Sequence, residues 1–492
     1  MDTEIDQLHV LFFPLMAQGH ILPTLDMVRL FAARGVKTTI VTTPHNAPLF
    51  TKTIESTQNS PSKITLEFIK FPAKEVGLPE GLENLDSVTN QELHRKFFDA
   101  LSLLQQPLED LIQELRPRAL VADMFFPWAT DTASKFGIPR LVFHGTSFVS
   151  MCAMESIKQH EPHKSVSSDT EPFVLPGLPD QIKLTRMQLA DHLRLGMENT
   201  LTRLLGRAGE AEKRSFGMIV NSFYELEPRY VDHYRKVIGR KAWHIGPLSL
   251  CNKNAEDKAQ RGGNVNAPSI DEHECLKWLA SKKPNSVVYI CFGTVSKFPP
   301  SQLQEIALAL EASEQQFIWV VRKDKNDHGQ EKNNEEWLPE GYEKRMEGKG
   351  LIIRGWAPQV LILDHEAVGG FVTHCGWNSA LEGISAGLPM VTWPVFAEQF
   401  YNEKLITDVL KIGVGVGVQQ WVRLVGDRIK REAIEKAVKE ITVGERAEEM
   451  RSRAKVFGEM ARRAVEEGGS SYSDLGALIE ELRSYRSLSK QD

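Results

Sequence analysis

The chain has 492 residues, 41% hydrophobic and 25% charged, which is too long for one ordinary core and predicts two domains of roughly 200–250 residues. Its 59 basic and 65 acidic residues leave a net charge of −6, which offers no basic surface for nucleic acid. No run approaches the ~18 consecutive apolar residues of a membrane span, and the five scattered cysteines indicate neither a disulfide framework nor a zinc site.

The first six residues, Met1–Asp6, are acidic. A secretory signal peptide would begin with basic residues followed by an apolar run. We therefore expect a cytoplasmic protein.

The first half of the chain alternates apolar runs with helical patterns. Such alternation predicts a parallel sheet with helices on both faces. The predicted strands are His9–Pro14, Val36–Thr42, Ile64–Phe71, Ala119–Ala122 and Arg140–His144, and the predicted helices are Thr24–Arg34, which Gly35 closes, and Thr130–Phe136. Between about 150 and 215 the pattern weakens, and Leu189–Arg207 is either a wall over a ligand site or an ordinary helical insertion.

The second half repeats this alternation after a polar segment, Asn252–Ser269, that predicts a linker. Its predicted strands are Ser286–Phe292, Phe317–Arg322, Gly350–Arg354, Gly370–Thr373 and Leu388–Trp393, and its predicted helices are Ser301–Ala312, Ser379–Ala386 and Gln399–Leu410. Lys323–Glu336 is predicted to be a charged surface loop, and the chain from Lys430 onward is predicted to be helical.

Two α/β domains with doubly wound sheets that face each other follow from this pattern. We expect an N-terminal domain over 1–250, a linker over 251–269 and a C-terminal domain over 270–470. The last segment, 471–492, is expected to be a helix and tail that could pack back on the N-terminal domain.

The segment Trp356–Gln399 holds the residues most typical of a ligand site. His374 ends a predicted strand, and a helix begins near Asn378, which is an arrangement that binds anions. A structural alternative stays open, because Ser379 and Glu382 fit a capping box, and the tryptophans and His374 could belong to a core.

This 44-residue segment, Trp356–Gln399, resembles the signature box of plant secondary-product UDP-glycosyltransferases over its full length. The resemblance extends to HVLFFPLMAQGHILPTLDM and DMFFPWATD in the first half. It implies a GT-B fold of two Rossmann-like domains, with UDP-glucose as donor, a small-molecule acceptor and no metal or other cofactor. The absence of any Asp-x-Asp pair also favours metal-free catalysis, and we expect a monomer.

The resemblance also implies how the donor is held. Trp356 would stack on uracil, Ala357 would read the uracil edge through its backbone, and Gln359 and Glu382 would hold the ribose hydroxyls. The residues implied for the diphosphate are Ser296, His374, Asn378 and Ser379. Those implied for the sugar are Trp377, Glu398 and Gln399, and in this family a Trp and a Gln at these positions usually accompany glucose. Ala380 departs from the family's usual Ser or Thr.

A candidate catalytic pair follows two strands of the first half. His20 lies just after the first strand and Asp123 directly after Ala119–Ala122, so both are placed where open α/β sheets form their ligand crevice. A histidine paired with a buried carboxylate is a competent base near neutral pH. By itself the sequence leaves His20 as an ordinary loop histidine; the resemblance implies that it deprotonates the acceptor while Asp123 stabilises the resulting charge.

Aromatic and other large side chains near Asp123 could line an acceptor pocket or belong to the core: Phe125, Phe126, Trp128, His144, Phe148 and Met151. The residues we predict to bind the acceptor are His20, Phe125, His144, Phe148 and Ala397. The segment EPFVLPGLPD is similar to a plant branch whose acceptors are triterpenoid or steroid sapogenins, flavonoids and other phenolics. The predicted function is therefore an inverting O-glucosyltransferase acting on such compounds.

Two alternatives stay open at this point. The run Gly413-Val-Gly415-Val-Gly417 suggests a nicotinamide-dependent oxidoreductase, although it is too compact for the G-x-G-x-x-G fingerprint. The other alternative is a sugar-nucleotide-binding protein without catalysis, against which the presence of both His20 and Asp123 argues.

Overall fold

A computed structural model describes residues 7–56, 63–261, 272–293, 298–321, 337–422 and 428–485. The loop predicted over Lys323–Glu336 lies outside these residues. In the ranges described, no helix is both long enough and apolar enough to cross a membrane.

The first sheet has seven parallel strands in the order β3-β2-β1-β4-β5-β8-β9, and a short antiparallel pair, β6 and β7, lies apart from it. The strands are β1 (His9–Phe13), β2 (Lys37–Thr42), β3 (Ile64–Phe68), β4 (Ala119–Asp123), β5 (Arg140–Phe143), β6 (Phe173–Val174), β7 (Lys183–Leu184), β8 (Gly217–Val220) and β9 (Ala242–His244). The strand order reverses between β1 and β4, and parallel sheets form their ligand crevice at such a switch point.

The helices of this half are α1 (Gln18–Ala33), α2 (Pro48–Ser56), α3 (Ala73–Val76), α4 (Gln91–Ser102), α5 (Gln105–Leu115), α6 (Ala129–Lys135), α7 (Phe148–His160), α8 (Asp191–Leu195), α9 (Thr200–Lys213) and α10 (Pro228–Asp232). Apolar cores lie on the two faces of the sheet: Val10 and Phe12 point into one, and Leu11 and Phe13 into the other. Burial on both faces explains why β1 reads as a continuous apolar run rather than an alternating one.

The second sheet has six parallel strands in the order β12-β11-β10-β13-β14-β15, with its switch point between β10 and β13. The strands are β10 (Val287–Cys291), β11 (Gln316–Val321), β12 (Gly350–Arg354), β13 (Val368–Thr373), β14 (Met390–Thr392) and β15 (Gly413–Gly415). The helices are α11 (Ala255–Gln260), α12 (Glu272–Ala280), α13 (Pro300–Ser313), α14 (Tyr342–Arg345), α15 (Gln359–Leu363), α16 (Trp377–Ser385), α17 (Gln399–Lys404), α18 (Arg431–Thr442), α19 (Ala447–Val465) and α20 (Ser470–Ser484).

The structure differs from the predicted elements in α1 and in the predicted linker. Helix α1 begins at Gln18 rather than Thr24, since Pro23 is accommodated inside the helix instead of ending it. Part of the predicted linker is regular: α11 forms a helix whose first turn is capped by the side chain of Asn254, and it packs against α15. The α/β architecture with two parallel sheets, as predicted, is confirmed.

The two halves share a continuous apolar cluster that joins residues around α7 and β8 to residues around α16 and α17. A buried polar contact reinforces it, because Ser147 Oγ and Ser150 Oγ donate to Asn402 Oδ1 at 3.0 and 2.8 Å. The first two residues belong to the first half and Asn402 to α17. Packing and hydrogen bonding together therefore fix how the two sheets face each other.

The last helix, α20, returns to the first sheet. Leu475, Leu478, Ile479 and Leu482 are buried in the same core as β1, and α20 lies against β9. Asp474 anchors the start of this helix: its Oδ2 accepts from Arg235 Nη2 at 2.6 Å and from the His244 backbone N–H at 2.9 Å.

We expect Asp474→Ala to lower the free energy of unfolding by about 1.5–3 kcal/mol, since it removes charge-assisted hydrogen bonds in a partly buried setting. Denaturant unfolding monitored by circular dichroism measures the change. The matched control on the same helix is Glu480→Ala, whose exposed pair with Arg483 should contribute no more than about 1 kcal/mol. Equal losses for the two variants would show that Asp474 does not anchor α20.

Candidate active site

A cleft of about 2120 Å³ lies between the carboxyl ends of the two sheets, where both switch points meet. From the first sheet it receives residues that follow β1 and β4, and from the second sheet residues that follow β10 and β13. Because each sheet contributes its own ligand crevice, the cleft can hold two substrates side by side.

His20 and Asp123 meet at this cleft although they are far apart in the sequence. His20 Nδ1 lies 2.6 Å from Asp123 Oδ2, while Asp123 Oδ1 accepts from the backbone N–H of Phe125 at 3.1 Å. Asp123 is fully buried behind the histidine, and His20 lines the cleft with its side chain 25% exposed. This geometry fixes the imidazole through Nδ1 and leaves Nε2 to act on a ligand.

Two opposing effects set the pKa of His20. Burial alone would lower this pKa, but the charge and hydrogen bond of Asp123, with smaller contributions from Asp86 and Glu398, raise it above its ordinary value. Burial raises the pKa of Glu398 across the cleft. A raised histidine pKa makes the imidazolium easier to form, which suits a group that accepts a proton during catalysis.

The position of His20 depends on an irregular first turn of α1. Pro23 has no N–H, so the Gly19 carbonyl four residues earlier lacks its helical donor. Asn378 Nδ2 of the second half donates to that carbonyl at 2.7 Å. The proline thus leaves the Gly19 carbonyl free of a helical hydrogen bond, and Asn378 of the second half binds this carbonyl beside His20.

His374 follows β13 and lies between two glycines. A Cβ on Gly293 would lie 2.7 Å from His374 Cε1, and one on Gly376 would lie 2.5 Å from His374 Nε2, so a side chain at either position would displace the ring. Burial lowers the pKa of His374 to about 4. In the part of the chain that is described, its buried Nδ1 has no hydrogen-bond partner, which indicates a neutral ring positioned for a ligand.

The helix start that follows His374 differs from the capping-box alternative. Helix α16 begins at Trp377 after Gly376, and no side chain caps its first turn. Ser379 and Glu382 instead bond to α15: Gln359 Nε2 donates to Ser379 Oγ at 3.1 Å and to Glu382 Oε2 at 2.7 Å. The capping-box alternative is therefore wrong. The first turn of α16 lines the cleft without a side-chain cap, which leaves its N–H groups available to donate hydrogen bonds to an anion.

Trp377 is buried, and its indole N–H already donates a hydrogen bond within the protein. Its Nε1 donates to the Asn221 carbonyl at 2.6 Å, which ties α16 to the first half of the chain. With this bond in place, the group that Trp377 can offer a sugar is its backbone N–H rather than its indole.

Glu398 and Gln399 lie at the start of α17. Gln399 Oε1 accepts from the backbone N–H groups of Val395 and Phe396 at 2.8 and 3.0 Å, which points its amide nitrogen to other partners. Both residues line the cleft, as do Trp356 and Ala357 beyond β12. Ser296 lies outside the described residues.

The predicted acceptor residues separate into two groups. His20, Phe125, His144 and Ala397 line the cleft, and so does Met151. Phe148 does not line the cleft. It is fully buried on the core side of α7, with its ring 5.6 Å from that of Tyr234, so the prediction that it binds the acceptor is wrong. Phe126 and Trp128 likewise pack on Phe13 rather than on the cleft.

The glycine run that suggested a nicotinamide site forms an edge strand. Gly413–Gly415 is β15, which pairs in parallel with β14 and opens no helix. A dinucleotide fingerprint needs a strand, a glycine turn and a helix N-terminus in sequence, so that alternative is wrong.

Several cleft residues were missed from the sequence. Phe98, from the unpredicted helix α4, lies 5.5 Å from the Phe125 ring, and Arg261 joins Asp26 to Glu382. The apolar spacing over Gln91–Ser102 could have revealed α4. No local signal could have revealed Arg261, since its partners are distant in the sequence.

The described residues contain no group of three or more His, Cys, Asp or Glu arranged to hold a metal ion.

Comparison with known proteins assigns the family. Residues 102–447 match the family described as "UDP-glucoronosyl and UDP-glucosyl transferase". The chain is 58% identical over 481 residues to scopoletin glucosyltransferase of Nicotiana tabacum, covering 98% of this chain and 99% of that protein. It is 57% identical over 490 residues to UDP-glucose flavonoid 3-O-glucosyltransferase 7 of Fragaria ananassa, with 98% of each covered.

A solved structure agrees in fold over nearly the whole chain. The Glycyrrhiza uralensis protein UGT73P12, crystallised with glycyrrhetinic acid 3-O-monoglucuronide, superposes with a TM-score of 0.89 at 44% identity, covering 97% of this chain and 96% of that one. Because 97% of the chain is covered, the likeness extends across both sheets. The chain therefore belongs to the UDP-glucoronosyl and UDP-glucosyl transferase family and is a UDP-sugar-dependent glycosyltransferase.

Proposed function

We propose that this glycosyltransferase moves glucose from UDP-glucose to a hydroxyl of a lipophilic plant metabolite, with inversion at the anomeric carbon and His20 as the base. The observation that carries the proposal is the 2.6 Å bond between His20 and Asp123 at a cleft whose other wall is the N-terminal end of α16. A base and an anion site that face each other are what a direct displacement on a nucleotide sugar needs.

The donor binds, in this proposal, along the second sheet. Trp356 stacks on uracil, a contact of ~1–3 kcal/mol in other base–aromatic pairs, and Glu382 and Gln359 take the ribose hydroxyls. The diphosphate lies at the start of α16 near His374 and Asn378. As the glycosidic bond breaks, negative charge grows on the leaving UDP, and the helix N–H groups stabilise it without a metal ion.

The acceptor hydroxyl lies against His20. Its oxygen attacks the anomeric carbon from the face opposite UDP while its proton passes to Nε2 of His20. One bond forms between the acceptor oxygen and the anomeric carbon, and the bond between that carbon and the UDP oxygen breaks. An α-linked donor thereby yields a β-glucoside, and Asp123 stabilises the imidazolium formed.

The acceptor is a phenolic, flavonoid, triterpenoid or steroid compound. The first-sheet wall of the cleft supports this class, since Phe98, Phe125 and Met151 present apolar surface beside His20. The tobacco relative is named for scopoletin and the strawberry relative for flavonoids, and the Glycyrrhiza uralensis structure holds glycyrrhetinic acid 3-O-monoglucuronide. We further propose a cytoplasmic monomer that needs neither a metal nor a cofactor.

We expect His20→Ala to lower turnover by about 10²–10⁴-fold, because a positioned base contributes that much. Calorimetric binding of UDP-glucose is the control and should be preserved, since His20 lies on the acceptor side. Turnover equal to that of the unmodified enzyme would refute His20 as the base.

Asp123→Asn should move the acid limb of the kcat/KM profile to lower pH. The carboxylate raises the His20 pKa, so its loss leaves burial to lower that pKa, while activity still rises as His20 loses its proton. The plateau should also fall, because the neutral amide no longer stabilises the imidazolium. Asp86→Asn is the matched control: Asp86 also raises this pKa but contacts the Gln18 N–H rather than His20, so a smaller shift is expected. If the acid limb of the kcat/KM profile of Asp123→Asn lies at the same pH as that of the unmodified enzyme, the proposed pairing of His20 with Asp123 is contradicted.

Incubation with UDP-glucose and a panel of coumarin, flavonol and sapogenin acceptors should yield O-glucosides. Proton NMR of the products should give the large anomeric coupling of a β-linkage, because displacement inverts the α-linked donor. Binding of UDP-glucose with no glucoside from any acceptor and no release of UDP would favour a binding protein instead.

A further inference from the structure

Arg261, which follows α11, contacts both halves of the chain at once. Its Nε lies 2.8 Å from Asp26 Oδ2 on α1, and its Nη1 lies 2.5 Å from Glu382 Oε1 on α16. The side chains are nearly inaccessible, with exposed fractions of 9% for Arg261, 4% for Asp26 and 6% for Glu382. A guanidinium presents donors in a rigid fork, so both carboxylates are held at a fixed separation.

The two partners of Arg261 belong to the two halves that flank the cleft. Asp26 belongs to the same helix as His20, about 9 Å along its axis at 1.5 Å per residue. Glu382 lines the cleft on the donor side, with Oε2 taken by Gln359. A carboxylate accepts about four hydrogen bonds, so Glu382 can bind Arg261 and Gln359 and still receive hydroxyl groups from a ligand.

A purely stabilising ion pair would not need this arrangement. Asp26 already accepts from Asn252 Nδ2 at 2.9 Å, and a second arginine, Arg29, already joins α1 to α11 through Asp257 and to the segment before α11 through Asn252. What Arg261 adds is its contact with Glu382. Of the two side chains observed to hydrogen-bond to Glu382, Arg261 and Gln359, only Gln359 would remain if Arg261 were replaced.

We propose that Arg261 is a positioning residue for the donor: it fixes the orientation of Glu382 for the ribose hydroxyls and links that carboxylate to the helix carrying His20. The inference rests on the proposed donor site, in which Glu382 binds ribose. Part of the enzyme's preference for a ribonucleotide would then come from a residue outside the segment Trp356–Gln399. Arg261 acts through Glu382 and contacts no reacting atom.

The test compares two nucleotides by isothermal titration calorimetry: UDP and 2′,3′-dideoxy-UDP, which lacks both ribose hydroxyls. The enzyme should bind UDP at least tenfold more tightly. Arg261→Met should bring this ratio down to threefold or less, mainly by weakening UDP. Arg261→Lys, which keeps the charge but loses the fork, should give an intermediate ratio, and it carries the test if Arg261→Met does not fold. The matched control is Arg29→Met, which breaks a bridge from α1 without touching Glu382 and should leave the ratio unchanged.

Glu382→Ala separates the two levels of the proposal. If it abolishes the ratio while both Arg261 variants keep the full ratio, Arg261 does not position Glu382 and the inference fails. If Glu382→Ala keeps the full ratio, the proposed ribose contact itself is wrong. If Arg261 has only a structural role, Arg261→Met should lower the affinities for UDP and for dideoxy-UDP equally, and that result would also overturn the inference. In the expected result, Arg261→Met and Glu382→Ala both lose the preference for ribose.

Discussion

The bond between His20 Nδ1 and Asp123 Oδ2 is the interaction on which the site depends, because it converts an ordinary histidine into an oriented base. His20 follows β1 and Asp123 ends the neighbouring strand β4, so the parallel pairing of these strands brings the two residues to the same edge of the sheet. The register aligns Phe13 with Ala122, directly before Asp123, and the turn after β1 returns the chain to place His20 over the carboxylate. A sheet that buries both faces makes this placement rigid.

The second sheet contacts the half that carries this base through residues of the proposed nucleotide-sugar site. Asn378 binds the Gly19 carbonyl, Trp377 binds the Asn221 carbonyl, and Glu382 is joined to α1 through Arg261. Residues assigned to the nucleotide sugar therefore also hold the two halves together.

Much of the fold was predictable, because buried parallel strands read as short apolar runs between helical patterns. The unpredicted parts have identifiable causes. Pro23 concealed the true start of α1, since a proline within a helix usually marks a boundary. The cleft-lining side chains could be named from the family resemblance, but Phe148 could not be separated from Phe125, as both follow a strand and only packing decides which one faces the cleft. Long-range partners such as Arg261 leave no local pattern.

The central claim is that the imidazole of the first half faces the anomeric carbon held by the second half. A crystal structure with UDP-2-fluoro-glucose and a bound acceptor measures this directly. We expect the acceptor oxygen within hydrogen-bond distance of His20 Nε2 and ~3–3.5 Å from the anomeric carbon, with the nucleotide at the start of α16. A nucleotide bound elsewhere, or a His20 ring turned away from the acceptor oxygen, would contradict the account.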